Sequence, residues 1–400
     1  MNPRLIANPP IGIYSNPATT INHAAFLVLL DAVARYRSEL NGEKIVFPGR
    51  SYNFYGRRGD ALLRNDNESR GFEELSQIHR KNIMDDIARE KLNLSSLELL
   101  TDDEPVIQKG VQRDIVKLYE KGFVIEKDNE LYLDCRKIVQ ERDLKEMLDE
   151  IKVRPERINT EILRLIEQNT SLPLLITRQT RYSLKNPLGG DNIGPLFVLA
   201  NMWDHRYPSH DITLAGSDSV LTKYVFLRLM TRAALDDYPG MDELIIWPKI
   251  IPEGRIEEWD LENLVSNEYE GDMVRCSILS CYTEREQKVF MGKDRFVAAR
   301  NFVYLVSNLR KVLKGSFSKS CQTEVVYSNK LENFDFQDLI RDSRIRLKQI
   351  SANVNTARDN GVWNEQLRRR LASEYIATIF PLSPIIPATI KSVKGDFRND

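Results

Sequence analysis

Thr20, Ile21, Asn22 and His23 stand where a polar turn meets a long apolar run, Ala24 to Leu40. A helix that opens there presents free backbone N–H groups and the positive end of its dipole, a combination that binds anions and phosphate in particular. The Thr20 hydroxyl can donate to an oxygen, and the His23 imidazole adds a second side-chain donor. A lone histidine at a helix start also serves as an ordinary surface residue. The flanking elements therefore decide how much chemistry this stretch carries.

Those elements read as strand, loop, helix, strand, loop. Ile11 to Tyr14 is expected to be a buried strand, Ala24 to Leu40 a helix closed by Asn41-Gly42 in a left-handed cap, and Lys44 to Gly49 a second strand. A right-handed crossover would bring the loops after both strands to one edge of a parallel sheet, where α/β folds bind ligands, and would make His23 and Asn53 neighbours. Farther along, Phe123 to Lys127 and Glu130 to Cys135 alternate around the two polar residues Asp128-Asn129, which predicts a hairpin. Two helices are expected between Arg142 and Gln168, and amphipathic helices over Lys293–Leu313, Phe336–Arg358 and Trp363–Ile379.

The composition sets wider bounds. Four hundred residues with 42% hydrophobic content exceed the roughly 250 to 300 at which chains divide into separate cores. No apolar run approaches the roughly 18 to 20 residues of a membrane span, and the start MNPRLIANPP has no signal-peptide pattern. A soluble, cytoplasmic chain without a membrane partner is expected. Cys135, Cys276, Cys281 and Cys321 are scattered with no Cys-x-x-Cys pair, so neither a zinc site nor a disulfide framework is expected. The net charge is −1, yet residues 301–400 hold 16 Lys and Arg against 10 Asp and Glu. A solvated helix face and an RNA contact both account for that excess.

The order of several short motifs resembles that of the class Ia aminoacyl-tRNA synthetases, with the methionyl and cysteinyl groups nearest. Asn16 to His23 resembles their nucleotide loop N-G-x-x-H-I-G-H, Ala34-Arg35-Tyr36 their A-R-Y, and Asn53-Phe54-Tyr55-Gly56 their D-x-H-G. Leu118 to Gly122, Ile176-Thr177-Arg178 and Phe197 to Trp203 follow in the family's order, then Gly216-Ser217-Asp218 for its G-x-D turn. Lys249 to Arg255 stands at the place of the mobile K-M-S-K-S loop. Gly271-Asp272 with Arg275 is similar to G-A-D-x-x-R, Arg300-Asn301-Phe302 to R-N-F, and Phe380 to Pro387 to L-x-P-x-x-P.

That resemblance implies an α/β fold: a Rossmann-like parallel-sheet catalytic domain over residues 1–290 with a short connecting insert at about 123–172. A C-terminal α-helical bundle at 291–400, similar to an anticodon-binding domain, would follow. It further implies a ligase that activates an amino acid or related carboxylate with ATP as an acyl adenylate and passes it to tRNA or a small amine, with ATP and Mg2+ as cofactors. The chain would be a monomer or homodimer. His23, Thr20, Lys249 and Arg255 would be catalytic; Asn22, His23, Gly216 and Asp218 would hold the nucleotide. Tyr14, Tyr52, Asn53 and Trp203 would line the substrate pocket, and no residue would ligate a metal.

Several positions depart from the family pattern. Asn22 replaces a glycine on which adenine lies, which crowds that face. Asn53 replaces an aspartate, which removes a charge-assisted bond worth about 1.5 to 3 kcal/mol from a substrate ammonium. An altered substrate fits these changes, and so does a catalytically inactive synthetase paralogue that acts as a binding or regulatory protein. Asp218 has a second role open to it as N-cap of a helix over Val220 to Leu235. Core packing is likewise open to Tyr14, Tyr52 and Trp203.

Overall fold

A computed structural model describes residues 4–12, 21–40, 48–53, 92–94, 98–154, 173–179, 183–206, 211–216, 219–236, 241–254, 268–282, 288–317 and 335–397, with isolated positions at 265 and within 71–78 and 156–168. By contact the chain divides into two units. One comprises Met1–Pro17, Ile45–Asp86 and Ser96–Trp247; the other comprises Ala18–Lys44, Ile87–Ser95 and Pro248–Asp400. The boundary expected at 290/291 comes from the family resemblance, and this division does not test it.

The first unit is built on a six-stranded sheet. Its strands are β1 (Arg4–Gly12), β2 (Pro48–Asn53), β3 (Glu98–Thr101), β6 (Lys152–Arg154), β10 (Asp211–Gly216) and β11 (Met241–Trp247), in the order β3-β2-β1-β10-β11-β6. Every pairing in it is parallel. Ile212, Thr213 and Leu214 of β10 and Leu244 to Trp247 of β11 are all buried, without alternation. A parallel sheet covered on both faces produces that pattern.

Helix α2 (Pro105–Glu120) packs against α5 (Pro195–Arg206), and α5 packs against α6 (Ser219–Leu235). Ile107, Val111, Ile115 and Leu118 of α2 meet Phe197, Met202 and Trp203 of α5 and Phe226, Leu229 and Met230 of α6 in one hydrophobic core. Between α2 and β6 lie strands β4 (Val124–Lys127) and β5 (Glu130–Leu133) and the short helices α3 (Cys135–Glu141) and α4 (Leu144–Asp149). The β4–β5 hairpin forms as expected: Lys127 pairs with Glu130 across Asp128 and Asn129, whose φ values are +53° and +65°. Two successive left-handed residues are what a two-residue turn needs to match the twist of its strands. Asp134 and Asp143 cap α3 and α4, each accepting a backbone N–H through its carboxylate. Strands β7 (Leu174–Leu175), β8 (Thr177–Arg178) and β9 (Asn192–Ile193) complete this side.

Two strand bounds differ from expectation. β1 runs from Arg4 to Gly12 rather than Ile11 to Tyr14, because Pro9-Pro10 does not end it. The pairing with β2 skips from Ala7 to Ile11 in a register shift that takes up two residues lacking an N–H. β2 begins at Pro48, so it overlaps the expected Lys44 to Gly49 only in its first two residues; residues 41–47, with the expected Asn41-Gly42 cap, lie outside the described ones.

The second unit is mainly helical. Helix α1 (Ile21–Arg35) continues into a π-helical turn, Tyr36–Leu40, and buries Ala24, Ala25 and Leu27 to Val33 on all sides. It packs on β12 (Lys249–Pro252) and on α7 (Glu268–Leu279). β12 pairs in parallel with β13 (Lys288–Met291). Then come α8 (Lys293–Leu313), α9 (Phe336–Asp359), α10 (Glu365–Ile379) and α11 (Pro387–Asp396). Among the described residues no helix is long and apolar enough to cross a membrane.

Candidate active site

The sheet order of the first unit contains a reversal. β1 neighbours β10, with Asn8 opposite Ala215, and from that pair the strand order runs outward through β2 on one side and β11 on the other. In open α/β sheets the carboxyl ends of the two central strands at such a reversal form the ligand crevice. Both central strands end in glycine here, β1 at Gly12 and β10 at Gly216. Gly12 is in register with Asn53, Ile11 with Tyr52, and Gly216 with Trp247. Three residues expected at the site, Tyr52, Asn53 and Gly216, thus share one edge of one sheet.

Among the described residues, three others expected at the site belong to the second unit. Asn22 and His23 occupy the first turn of α1, which belongs to the second unit. Lys249 opens β12 in that same unit and is exposed. Trp203 is 1% exposed in the core of the first unit, where burial favours the packing role left open for it. Tyr14, Thr20, Asp218 and Arg255 lie outside the described residues, as do the side chains of Asn22, His23, Tyr52 and Asn53.

The apolar sequence of α6 hides two cations that hold this edge in place. Arg228 donates to Asp204 Oδ1 at 2.5 Å and Oδ2 at 3.3 Å, and to Thr213 Oγ1 at 3.1 Å. Thr213 lies on β10 three residues before Gly216, so one guanidinium ties α5, α6 and the central strand together. One turn on, Arg232 reaches Asp204 at 3.1 Å, Asp114 at 2.6 Å and Asn201 at 3.2 Å. His205 Nε2 lies 2.9 Å from Asp114 Oδ2. Burial pushes the Asp114 carboxyl up, but the His205 hydrogen bond and the Arg232 charge outweigh it and hold Asp114 below the ordinary carboxylate value. The His205 ring covers Gly110 so closely that a Cβ there would collide with it.

None of these roles was assigned from the sequence. The available signal was Arg228 and Arg232, four residues apart in Val225 to Leu235, an otherwise apolar segment. Asp31 within Ala24 to Ala34 sends the same signal: it meets the fully buried Arg275 of α7 at 2.8 Å. Buried charges without partners are costly, so a charge in an apolar helix announces a partner.

The described thiols are not poised as nucleophiles. Cys135, Cys276 and Cys281 are free and buried, and burial pushes the Cys135 thiol up to about 12 and Cys281 to about 11, far from a reactive thiolate.

The same arrangement of strands and helices occurs in solved structures. Mycobacterium tuberculosis methionyl-tRNA synthetase bound by methionyl-adenylate matches with a TM-score of 0.72 over 98% of this chain and 94% of that one, at 10% identity. The fold is similar to that of a class I synthetase. A second structure, that synthetase in complex with methionyl-adenylate, gives a TM-score of 0.72 and 11% identity over 98% and 93%. No family model matches the chain, and no curated protein matches its sequence. The synthetase likeness is therefore one of fold, and it extends over nearly the whole length of both chains.

Proposed function

We propose that this chain is an ATP-dependent, aminoacyl-tRNA synthetase-like ligase that activates an amino acid or related carboxylate as an acyl adenylate. The observation that carries the reading is the pair of glycine-ended central strands at the sheet reversal, because bare backbone there lets a nucleotide approach closely. A carboxylate oxygen of the substrate attacks the α-phosphorus of ATP; a P–O bond forms there, and the bond to the leaving pyrophosphate breaks. This chemistry needs placement and charge more than covalent help from the protein.

In this reading His23, Thr20 and the opening turn of α1 hold the phosphates, with Asn22 beside the base. Gly216 and Asp218 take the ribose, the carboxylate accepting from its hydroxyls. Lys249 and Arg255 offset charge on the departing pyrophosphate. Tyr14, Tyr52 and Asn53 define the substrate pocket, and the neutral Asn53 favours an acid whose amine is modified or absent. Mg2+ would accompany ATP and offset charge on its phosphates.

The acceptor is tRNA or a small amine. Arg300, Tyr304 and Lys311 are exposed along one side of α8, which supports an RNA contact through the basic C-terminal part. Calorimetric titration with Mg-ATP tests the nucleotide site. Saturable binding that weakens at least tenfold in His23→Ala is expected, and no heat from the wild-type chain would overturn the reading. Filter binding of bulk tRNA at two salt concentrations tests the acceptor, since phosphate contacts weaken steeply with salt.

A further inference from the structure

The second unit contains a cavity of about 580 Å³ that the proposed ligase chemistry does not use. One wall is apolar, made by Leu94, Pro387, Ala388 and Ile390; the rest carries Arg35, Lys391 and Lys394. Among the described residues that line it there is no carboxylate. Lys391 and Lys394 are three residues apart on α11 and exposed, hence on one side of that helix. Lys394 stands 5.8 Å from the Phe380 ring centroid. Arg35 is fixed at the wall by Asp31 Oδ2 at 2.8 Å and the Asn93 carbonyl at 2.9 Å.

Asn93 lines the cavity with its backbone at φ +51°, and its carbonyl accepts from the Arg35 guanidinium at 2.9 Å. Three cations and an apolar wall define the complement: a small organic anion with acceptor oxygens at one end and an apolar body at the other.

We propose that this cavity is a binding site for such an anion, of the phosphate monoester class, separate from the adenylate site. The oxygens face Lys391, Lys394 and Arg35, and the apolar body lies on Pro387 and Ile390. Charge-assisted contacts to flexible lysines in a partly open cavity make the affinity salt-dependent.

Phenyl phosphate is the probe, titrated calorimetrically into the full chain. Saturable binding is expected. It should weaken at least tenfold in K391E/K394E and several-fold in 0.5 M salt, and stay unchanged in His23→Ala. Both lysines are exposed, so the double variant should fold; K391Q/K394Q, checked by circular dichroism, gives the same comparison without charge reversal. Absence of saturable binding in the wild-type chain, or equal affinity in the double variants, would overturn the proposal. Loss of binding in His23→Ala with the lysine variants unaffected would place the probe in the adenylate site and overturn it too.

Discussion

Asp272 and Thr389, far apart in sequence, are joined by two hydrogen bonds: Asp272 Oδ2 accepts from the Thr389 backbone N–H at 2.7 Å and from its hydroxyl at 2.6 Å. Oδ1 accepts from Ala388 N–H at 3.3 Å. Ile386, the residue before α11, has no oxygen with which to cap that helix, so a carboxylate from α7 does it. One turn along α7, Arg275 donates to the Pro384 carbonyl at 2.5 Å and the Ile385 carbonyl at 3.2 Å. Asp272-x-x-Arg275 and Pro384 to Pro387 are the two halves of one clamp.

Burial pushes the Asp272 carboxyl up to about 6, against the pull of the Thr389 and Ala388 bonds and of Arg275. In the unfolded chain it returns to its ordinary value near 3.8, so between those values the folded state holds the proton more firmly. Stability from this group is complete below about pH 4 and is lost as pH rises through 6. Each tenfold difference in proton affinity between the folded and unfolded chain is worth about 1.36 kcal/mol, so the loss is about 3 kcal/mol. Urea unfolding at pH 4 and pH 7 should show the wild-type chain losing about 2 kcal/mol relative to Asp272→Asn; equal pH slopes would contradict this.

Arg275→Met should be more severe than its conservative shape suggests. It takes one of two cations from the buried Asp31, which keeps Arg35, and leaves the carbonyls of Leu92, Pro384 and Ile385 without the Arg275 donor. Breaking a buried pair from one side costs about 3 to 5 kcal/mol. The double variant D31N/R275M should cost less than the sum of its parts in chemical denaturation. Additive losses would show that the pair is not coupled.

In the first unit, Thr213→Val and Arg228→Met test whether the guanidinium holds the central strand. Thr213→Val removes one neutral acceptor and should cost about 1 kcal/mol. Arg228→Met leaves Asp204 with Arg232 alone and should cost about 3 kcal/mol. Hydrogen exchange along β10 should accelerate in both, more in Arg228→Met. Unchanged protection would mean that the strand needs no such tie.

The turn of the β4–β5 hairpin offers a local test. Asn129→Ala places a Cβ in the left-handed region and should cost about 1 kcal/mol, while Asn129→Gly should be neutral or better. Thermal unfolding of the two variants decides it; equal melting temperatures would contradict the turn assignment.

Local chemistry made much of the fold legible. Helix α8 has the bounds expected from its 3.6-residue periodicity, Lys293 to Leu313, and Asp128-Asn129 marked its own turn. Pro9-Pro10 looked like a break because a ladder cannot use a residue without an N–H, yet β1 passes through it by shifting register. The sheet edge of the candidate site was readable from the apolar run Ile212 to Ala215 ending at Gly216. The clamp and the Arg228 network were not. The partners of Asp272, Arg275, Arg228 and Arg232 lie on other elements, and a sequence shows that a buried charge needs a partner without showing which residue it is.

Pyrophosphate exchange tests the central claim most directly. Labelled pyrophosphate, Mg-ATP and the wild-type chain are incubated with a panel of amino acids and related carboxylic acids, in parallel with His23→Ala. The account predicts label entering ATP with at least one acid, and a rate at least a hundredfold lower in His23→Ala while circular dichroism stays unchanged. Absence of exchange with every acid, or an equal rate in the variant, would contradict it.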